Sequence, residues 1–325
     1  MNHGNVSKEI AKGLLALQAR IKAAKIPPSK LDETLNIATW NIREFGKQRR
    51  LEASIHYLAE ILGQFDLITV VELRDNLEDM ARVMQVLGPY WRLIYNDCIA
   101  DPGGNRERVG FLYDKRAVTF NGFAAEADAP RRKVGEEYQT VQSFWRAPYA
   151  ASFRAGNFDF VAVGLHVRWG ESVTARRDEI QLFADWLEER HSDQFGEDKD
   201  LIVFGDFNIP KLDDALFKAL TSHGLQIPPA LRRLTAGDQV IGGTNLGADA
   251  RYDQIAHYAK DPARFVRAGG TVDFYGGGKA IKELFPKGMD EDKFTYQMSD
   301  HLPLWIQINT DNDAQQLRQI GRAHV

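Results

Sequence analysis

The sequence predicts an α/β fold in which two mixed β-sheets pack face to face with helices outside, and three observations lead there. Short, β-branched apolar runs alternate with amphipathic segments, and several of these runs are adjacent pairs. Polar clusters stand at the ends of the runs rather than inside them. Single strands among helices combined with adjacent strand pairs fit two sheets stacked on one another with helices on their outer faces.

In chain order, Ile10, Leu14, Leu17 and Ile21 fall at helical spacing with lysines between them. They predict an amphipathic helix that docks on the body and ends at Pro27-Pro28. Strands are expected over Leu35–Trp40, Leu67–Val71, Val109–Tyr113, Ala150–Phe153, Phe158–Leu165, Leu201–Phe204, Tyr252–His257 and Leu302–Ile308. Helices are expected over 49–63, 76–87, 173–190 and 212–223, with Asp75-Asn76 and Ser172 as N-caps. The stretches 98–107, 124–142, 236–250 and 259–297 carry Gly, Pro and charge and read as loops, of a length that is more often functional than structural. The organisation expected is a helical extension over 1–34, one domain over 35–309 and a tail over 310–325. The last six residues, Ile320 to Val325, back-translate to a common sequencing-adapter read; they are expected to be an artefact and carry no functional weight.

Composition narrows the function classes. At 325 residues and 44% hydrophobic the chain can bury a sizeable core. A net charge of -4 provides no global attraction to nucleic acid, so any such contact needs local basic patches. One cysteine, Cys98, excludes an internal disulfide framework and fits a reducing compartment. No stretch is apolar enough to span a bilayer, and residues 1–25 lack the pattern of a signal peptide. A cytoplasmic monomer without membrane insertion or a stable protein partner is the expectation.

Four polar signatures carry the chemistry. Glu72 follows Leu67-Ile68-Thr69-Val70-Val71, Asn41 follows Ile37–Trp40, Gly205-Asp206-Phe207-Asn208 follows Leu201–Phe204, and Ser299-Asp300-His301 precedes the last strand. The first three have an ordinary reading: a solvated glutamate, a turn asparagine, a tight turn. A carboxylate where a buried strand emerges is costly unless paired or coordinating. Together the four describe oxygen ligands for a hard divalent metal, with histidines beside them for proton transfer.

In its order of motifs, the set Asn41, Glu72, His166, Asp206, Asn208, Asp253, Asp300 and His301 resembles the endonuclease/exonuclease/phosphatase superfamily, over about residues 35–309. The resemblance implies a four-layer α/β sandwich and a divalent-metal phosphoesterase site. Within it, the likeness is greatest to the deoxyribonuclease I-like nucleases. It rests on Glu72-Leu73-Arg74-Asp75, on Arg106 to Tyr113, on Arg146-Ala147-Pro148, and on Thr244-Asn245 followed by Tyr252-Asp253-Gln254-Ile255. Two departures stand out: the disulfides of the secreted animal enzyme are absent, and Gln254 stands where a basic residue is expected, which weakens nucleic-acid affinity slightly.

From the resemblance, Glu107 supports His166 and Asp253 supports His301. A carboxylate partner fixes the imidazole tautomer and raises its pKa. Glu72 is the expected principal metal ligand, with Asp300 and Asn41 beside it, and oxygen ligation suits Mg²⁺ or Mn²⁺. Asp206 and Asn208 orient the phosphate and the attacking water. His301 is assigned as base and His166 as acid, with Asp206 as the alternative activator of the water. Arg74, Arg146 and Thr244 are expected at the substrate phosphate. Arg168 and the run Arg131-Arg132-Lys133 could extend a phosphate track, whereas Arg176-Arg177 reads as solvated helix charge. Arg168-Trp169 reads equally as a stacking pair or as a tryptophan packed at a strand end. The function expected is cleavage of DNA by a metal-dependent endonuclease. The alternative is a phosphoesterase acting on a lipid headgroup, an inositol phosphate or another small ester. A non-catalytic binding module would need a ligand or histidine to be lost, and none is missing.

Overall fold

The computed structural model describes residues 1–98, 105–128, 131–140, 142–170, 172–196, 198–212, 214–232, 235–236, 239–240, 242–265, 268–311 and 317. Its elements begin with α1 (Lys8–Ala23), β1 (Thr34–Phe45), α2 (Glu52–Leu62), β2 (Leu67–Leu73), α3 (Glu78–Leu87), β3 (Trp91–Tyr95), β4 (Arg108–Asp114) and β5 (Thr119–Glu126). Next come β6 (Arg131–Val134), β7 (Glu137–Thr140), β8 (Tyr149–Ala155), β9 (Phe158–His166), α4 (Val173–Ser192), β10 (Leu201–Asp206), α5 (Ala215–Leu220) and α6 (Pro229–Arg232). After these follow β11 (Thr235–Ala236), β12 (Gln239–Val240), β13 (Asp253–Tyr258), β14 (Gly269–Thr271), α7 (Lys279–Leu284), α8 (Glu291–Gln297) and β15 (Leu304–Asn309).

Two mixed sheets form the centre: a six-stranded sheet in the order β14-β15-β1-β2-β4-β3 and a five-stranded sheet in the order β13-β10-β9-β8-β5. Strand alternation divides the apolar side chains between two cores. Leu35 and Ile37 of β1, Leu67 and Val71 of β2, and Val109 and Phe111 of β4 face the second sheet, and the same core continues through it to Ile180, Phe183 and Leu187 of α4. Ala38, Trp40 and Ile42, with Ile68 and Val70, face the opposite way, onto Leu58 and Ile61 of α2, Val83 of α3 and Phe294 of α8. The result is helix, sheet, sheet, helix: the four-layer α/β sandwich.

The first helix docks through buried Leu14, Leu17 and Ile21, with Arg20 paired to Glu283 of α7 at 2.7 Å. It ends at Ala23, before the Pro27-Pro28 pair expected to stop it. The expected N-cap Ser172 accepts from the Ala175 N–H. At α3 the cap position falls on Leu77, while Asn76 Oδ1 accepts from the Glu78 N–H at 2.9 Å, a turn that leads into the helix instead of capping it.

Three expectations about elements are corrected. Strands β3 and β5 are not among the expected strands, because each is an edge strand with much of its surface in water and so lacks the apolar run that marks a buried strand. The stretch 124–142 holds the end of β5 and a two-stranded hairpin of β6 and β7, every described residue of which is exposed. Residues 259–297 are not a loop: β14, α7 and α8 lie within them, and the helices cover the outer face of the first sheet. Ile320 to Val325, most of the 98–107 loop and part of 236–250 lie outside the described residues.

Glycine is required where β10 ends. Gly205 has φ +141°, and a Cβ there would sit 1.8 Å from the Leu165 carbonyl oxygen of β9. No rotamer relieves a backbone contact of that kind. Gly205→Ala is expected to destabilise the fold by at least about 3 kcal/mol, read as a clear drop in Tm; an unchanged Tm would contradict the close strand contact.

Candidate active site

One level of the second sheet sets the site. In parallel pairing β10 places Asp206 opposite His166 of β9, and in antiparallel pairing it places Asp206 opposite Asp253 of β13. The direction these side chains take follows from packing. A Cβ on Gly164 would meet Val109 and Thr69 of the other sheet, so position 164 faces inward, and His166, two residues on, does too.

The first sheet delivers the remaining groups. Asn41 shares the parity of inward-facing Leu35 and Ile37, and it lies within β1 instead of following it. On β2, Leu67 and Val71 face inward, yet Leu73 faces the outer core. The phase slips at Glu72, which has φ +63° and lies where the pairing with β4 changes register. This bulge aims Glu72 into the gap between the sheets.

There the side chains interlock. Asn41 Nδ2 donates to Glu72 Oε1 at 2.9 Å and to Asp206 Oδ2 at 3.0 Å, and Glu72 Oε2 accepts from the Glu44 N–H at 2.7 Å. His301 Nδ1 lies 2.7 Å from Asp253 Oδ2, and His166 Nδ1 lies 3.0 Å from Glu107 Oε2. Both imidazoles turn Nε2 toward Asp206 Oδ2, each at 3.7 Å. Asp206 Oδ1 accepts from the Asn208 N–H at 2.9 Å, and Asn208 is anchored by donating to the Val167 carbonyl. Asn41, Glu44, Glu72, Glu107, His166, Asp206, Asn208 and His301 line a cleft of about 460 Å³ together with Arg43, Arg146, Trp169, Tyr252 and Asp300, and Asp253 lies behind them.

Burial and charge oppose each other throughout. Burial pushes the Asp206 carboxyl up, but the imidazoles of His301 and His166 and the Asn41 amide hold it below its usual range. Burial dominates at Asp253 and raises it, against the pull of His301. At His301 burial favours the neutral ring, but Asp253 and Asp206 outweigh it and raise its pKa well above 6.5. Burial likewise pushes Glu107 up, yet the bond to His166 and the Arg146 guanidinium bring it down to about 2.

Several expected contacts are placed differently. Thr244, expected at the substrate phosphate, is wholly buried; its hydroxyl accepts from the Asp253 N–H at 3.1 Å, so it positions Asp253. Arg74 and Arg146 both pair with Glu107, at 3.3 and 2.7 Å, and only Arg146 of the two lines the cleft. Asp300 is 44% exposed at the rim, with Arg43 Nε 3.9 Å away. Gln254 is buried and donates to the Arg251 carbonyl, so its neutrality has no bearing on a bound chain. Arg131, Arg132 and Lys133 stand on the exposed hairpin strand β6.

Arg176 was expected in solvent and is buried. It donates to the Asn208 and Gly170 carbonyls at 2.8 and 3.0 Å, and its guanidinium lies 4.9 Å from the Trp169 ring centroid. Buried Glu179 accepts from the Trp145 N–H at 2.8 Å and from Arg168 Nε at 2.9 Å. The signal was in the spacing: Arg176, Ile180, Phe183 and Leu187 fall on one helical stripe, so Arg176 belongs to the buried face. Ser299 was part of a motif but had no assigned role; its hydroxyl donates to the Asn41 carbonyl and accepts from the His301 N–H, joining the ends of two distant segments.

The donor set fits a hard cation. Asn41 Oδ1 is buried without a hydrogen-bond partner, beside a Glu72 carboxylate that retains free lone pairs. Asp206, Asp253 and His301 also bring their ligand atoms within 4.8 Å of one another. The 2.7 Å contact of His301 Nδ1 with Asp253 fixes the tautomer of that ring and leaves its Nε2 facing Asp206.

Comparison with known proteins agrees with this architecture. Residues 38–301 match the model of the Endonuclease/Exonuclease/phosphatase family, so the chain belongs to that family and is a phosphoester hydrolase. A deoxyribonuclease from Thioalkalivibrio sp. (strain K90mix) is similar at 27% identity over 310 residues, covering 88% of this chain and 75% of that one. A functionally unknown conserved protein from Enterococcus faecalis V583 superposes with a TM-score of 0.57 at 16% identity, covering 84% of this chain and 98% of that one. The human Nocturnin catalytic domain with bound sulfate gives 0.51 at 16% identity, over 86% and 95%. At these identities the structural likeness shows the fold.

The raised His301 pKa has a definite sign. The imidazolium contributes stability that is complete below pH 6.5 and is lost as pH rises through the folded value. In cation-free protein the His301 ring is expected to titrate well above 6.5 by NMR, and Asp253→Asn to bring it down toward 6.5; an unshifted titration in the variant would remove Asp253 as the cause.

Proposed function

We propose that the protein is a divalent-cation-dependent DNA endonuclease. The observation that carries the reading is the pair of carboxylate-backed imidazoles flanking Asp206 at equal distance. Displacement at phosphorus needs a proton removed from the attacking water on one side and a proton delivered to the departing oxygen on the other. Two histidines, each held by its own carboxylate, supply that arrangement.

Asn41 Oδ1, Glu72 and rim residue Asp300 would hold the cation, Mg²⁺ or Mn²⁺ by the all-oxygen donor set. When bound, it neutralises phosphate charge and lowers the pKa of water. Asp253 and Asp206 raise the His301 pKa and favour its protonated form, which suits it to protonate the leaving oxygen, and His166 then receives the proton of the water. This reverses the assignment expected from sequence. Asp206, ionised across the working range, holds both rings in place, and Asn208 braces Asp206 through its own N–H.

Support for DNA comes from the similarity to a protein named a deoxyribonuclease and from cationic side chains at the cleft, Arg43 and Arg146. The same cleft is large enough for a small phosphate ester, which is the second reading.

The test is plasmid nicking with Mg²⁺, with Mn²⁺ and with EDTA. Nicking that needs the cation is expected, with His301→Ala and His166→Ala each lowering kcat by at least ~10²-fold. Glu72→Gln is expected to raise the Mg²⁺ concentration for half-maximal rate by roughly tenfold or more. With His301 as acid, kcat/KM falls on the alkaline side of its titration; a loss of activity only on the acid side would restore it as the base. An inert plasmid beside cation-dependent hydrolysis of small esters would overturn the substrate and keep the site.

A further inference from the structure

Trp169 is 64% exposed, an unusual state for an indole only three residues beyond a buried histidine. It nevertheless lines the catalytic cleft with His166, His301 and Tyr252. Exposure alone says little, because single surface aromatics are common. What distinguishes this one is how firmly it is held.

The segment carrying it is fixed at successive positions. The Val167 N–H donates to the Asp206 carbonyl at 2.9 Å. Arg168 Nε donates to buried Glu179 at 2.9 Å, and the Gly170 carbonyl accepts from buried Arg176 at 3.0 Å. The guanidinium that fixes Gly170 also lies 4.9 Å from the Trp169 ring centroid. Tyr252 meets the indole at 5.8 Å with planes at 80°, and the Tyr252 ring is itself 5.9 Å from the His301 ring. A row of rings therefore leads from the proton-transfer histidine to the exposed indole.

A rigid, solvated aromatic beside a phosphate-cleaving centre presents a surface on which a flat ring can settle with little ordering cost. Arg176 beneath the indole adds a cation–π contact that fixes its orientation. The indole stands two ring contacts from His301, on the wall of the same cleft.

We infer that Trp169 is a stacking platform for a nucleobase next to the scissile phosphate, held in place by Arg176 and Tyr252. The inference rests on the nuclease reading and adds a specificity element to it: the enzyme would prefer phosphodiesters that carry bases over bare sugar-phosphate. Stacking of this kind tolerates any base, because every base has a π-face.

The experiment compares a short oligothymidylate with a strand of the same length built from tetrahydrofuran abasic units. Wild type is expected to show a KM for the abasic strand at least about fivefold higher than for oligothymidylate. Trp169→Ala collapses that ratio by raising KM on oligothymidylate, and Trp169→Phe largely retains it. A ratio that survives in Trp169→Ala, or is lost as fully in Trp169→Phe, overturns the inference. Wild type that nicks plasmid without preferring the strand that carries bases overturns the stacking and leaves the nuclease standing. Wild type that cuts no nucleic acid overturns both.

Discussion

A carboxylate shut away from water has to be neutralised where it stands, and Asp206, 2% exposed, imposes that demand on the whole molecule. Its partners come from separate parts of the chain: His166 ends β9, His301 precedes β15, Asn41 lies in β1, and the Asn208 N–H follows its own strand. Withdrawing a partner from a buried charge typically costs about 3–5 kcal/mol. The two sheets are therefore joined by the chemistry of the site as well as by the apolar core between them. Within the first sheet, Trp40 fixes the segment that leads into β15 by donating its indole N–H to the His301 carbonyl at 2.8 Å.

The same logic changes the role of the arginines. Arg74 and Arg146 do not wait as unpaired cations for a substrate; both are committed to Glu107. A phosphate arriving at Arg146 has to compete with a carboxylate already strongly ionised by its neighbours. Affinity gained at that guanidinium is thus offset by weakening the pair that orients His166. A phosphate bound at Arg146 would in that way disturb the setting of His166, whereas Asp253, the partner of His301, is wholly buried.

How much of this could be read from sequence depends on burial. The two-sheet fold was legible because its central strands are apolar on both faces, and Gly205-Asp206-Phe207-Asn208 was legible because a strand of that type ends in a glycine and two polar residues. Asn41 and Glu72 were legible as residue types but not as places: both strands run further than their apolar runs, and the bulge that aims Glu72 leaves no mark in composition. Thr244 was misplaced because a motif gives order along the chain, not the depth at which a hydroxyl ends up. Edge strands β3 and β5 were missed because a strand with a wet face and one free side has little apolar patterning. Arg176 was misread for the reverse reason, since charge suggested solvent while helical phase pointed to the core.

The start of α4 gathers more than its share of these contacts. Through Arg176 and Glu179, three residues apart, it holds the backbone at Trp145, the segment from Arg168 to Gly170, and the carbonyl of Asn208. Loops tied to a single turn of helix do not fluctuate independently; they open together or stay shut together. The cleft wall thus behaves as one cooperative unit of local unfolding, with a single opening free energy shared by segments far apart in the chain. Amide exchange in these three loops would then follow the fraying of one helix end, and a protease that found one of them open would find the others open too.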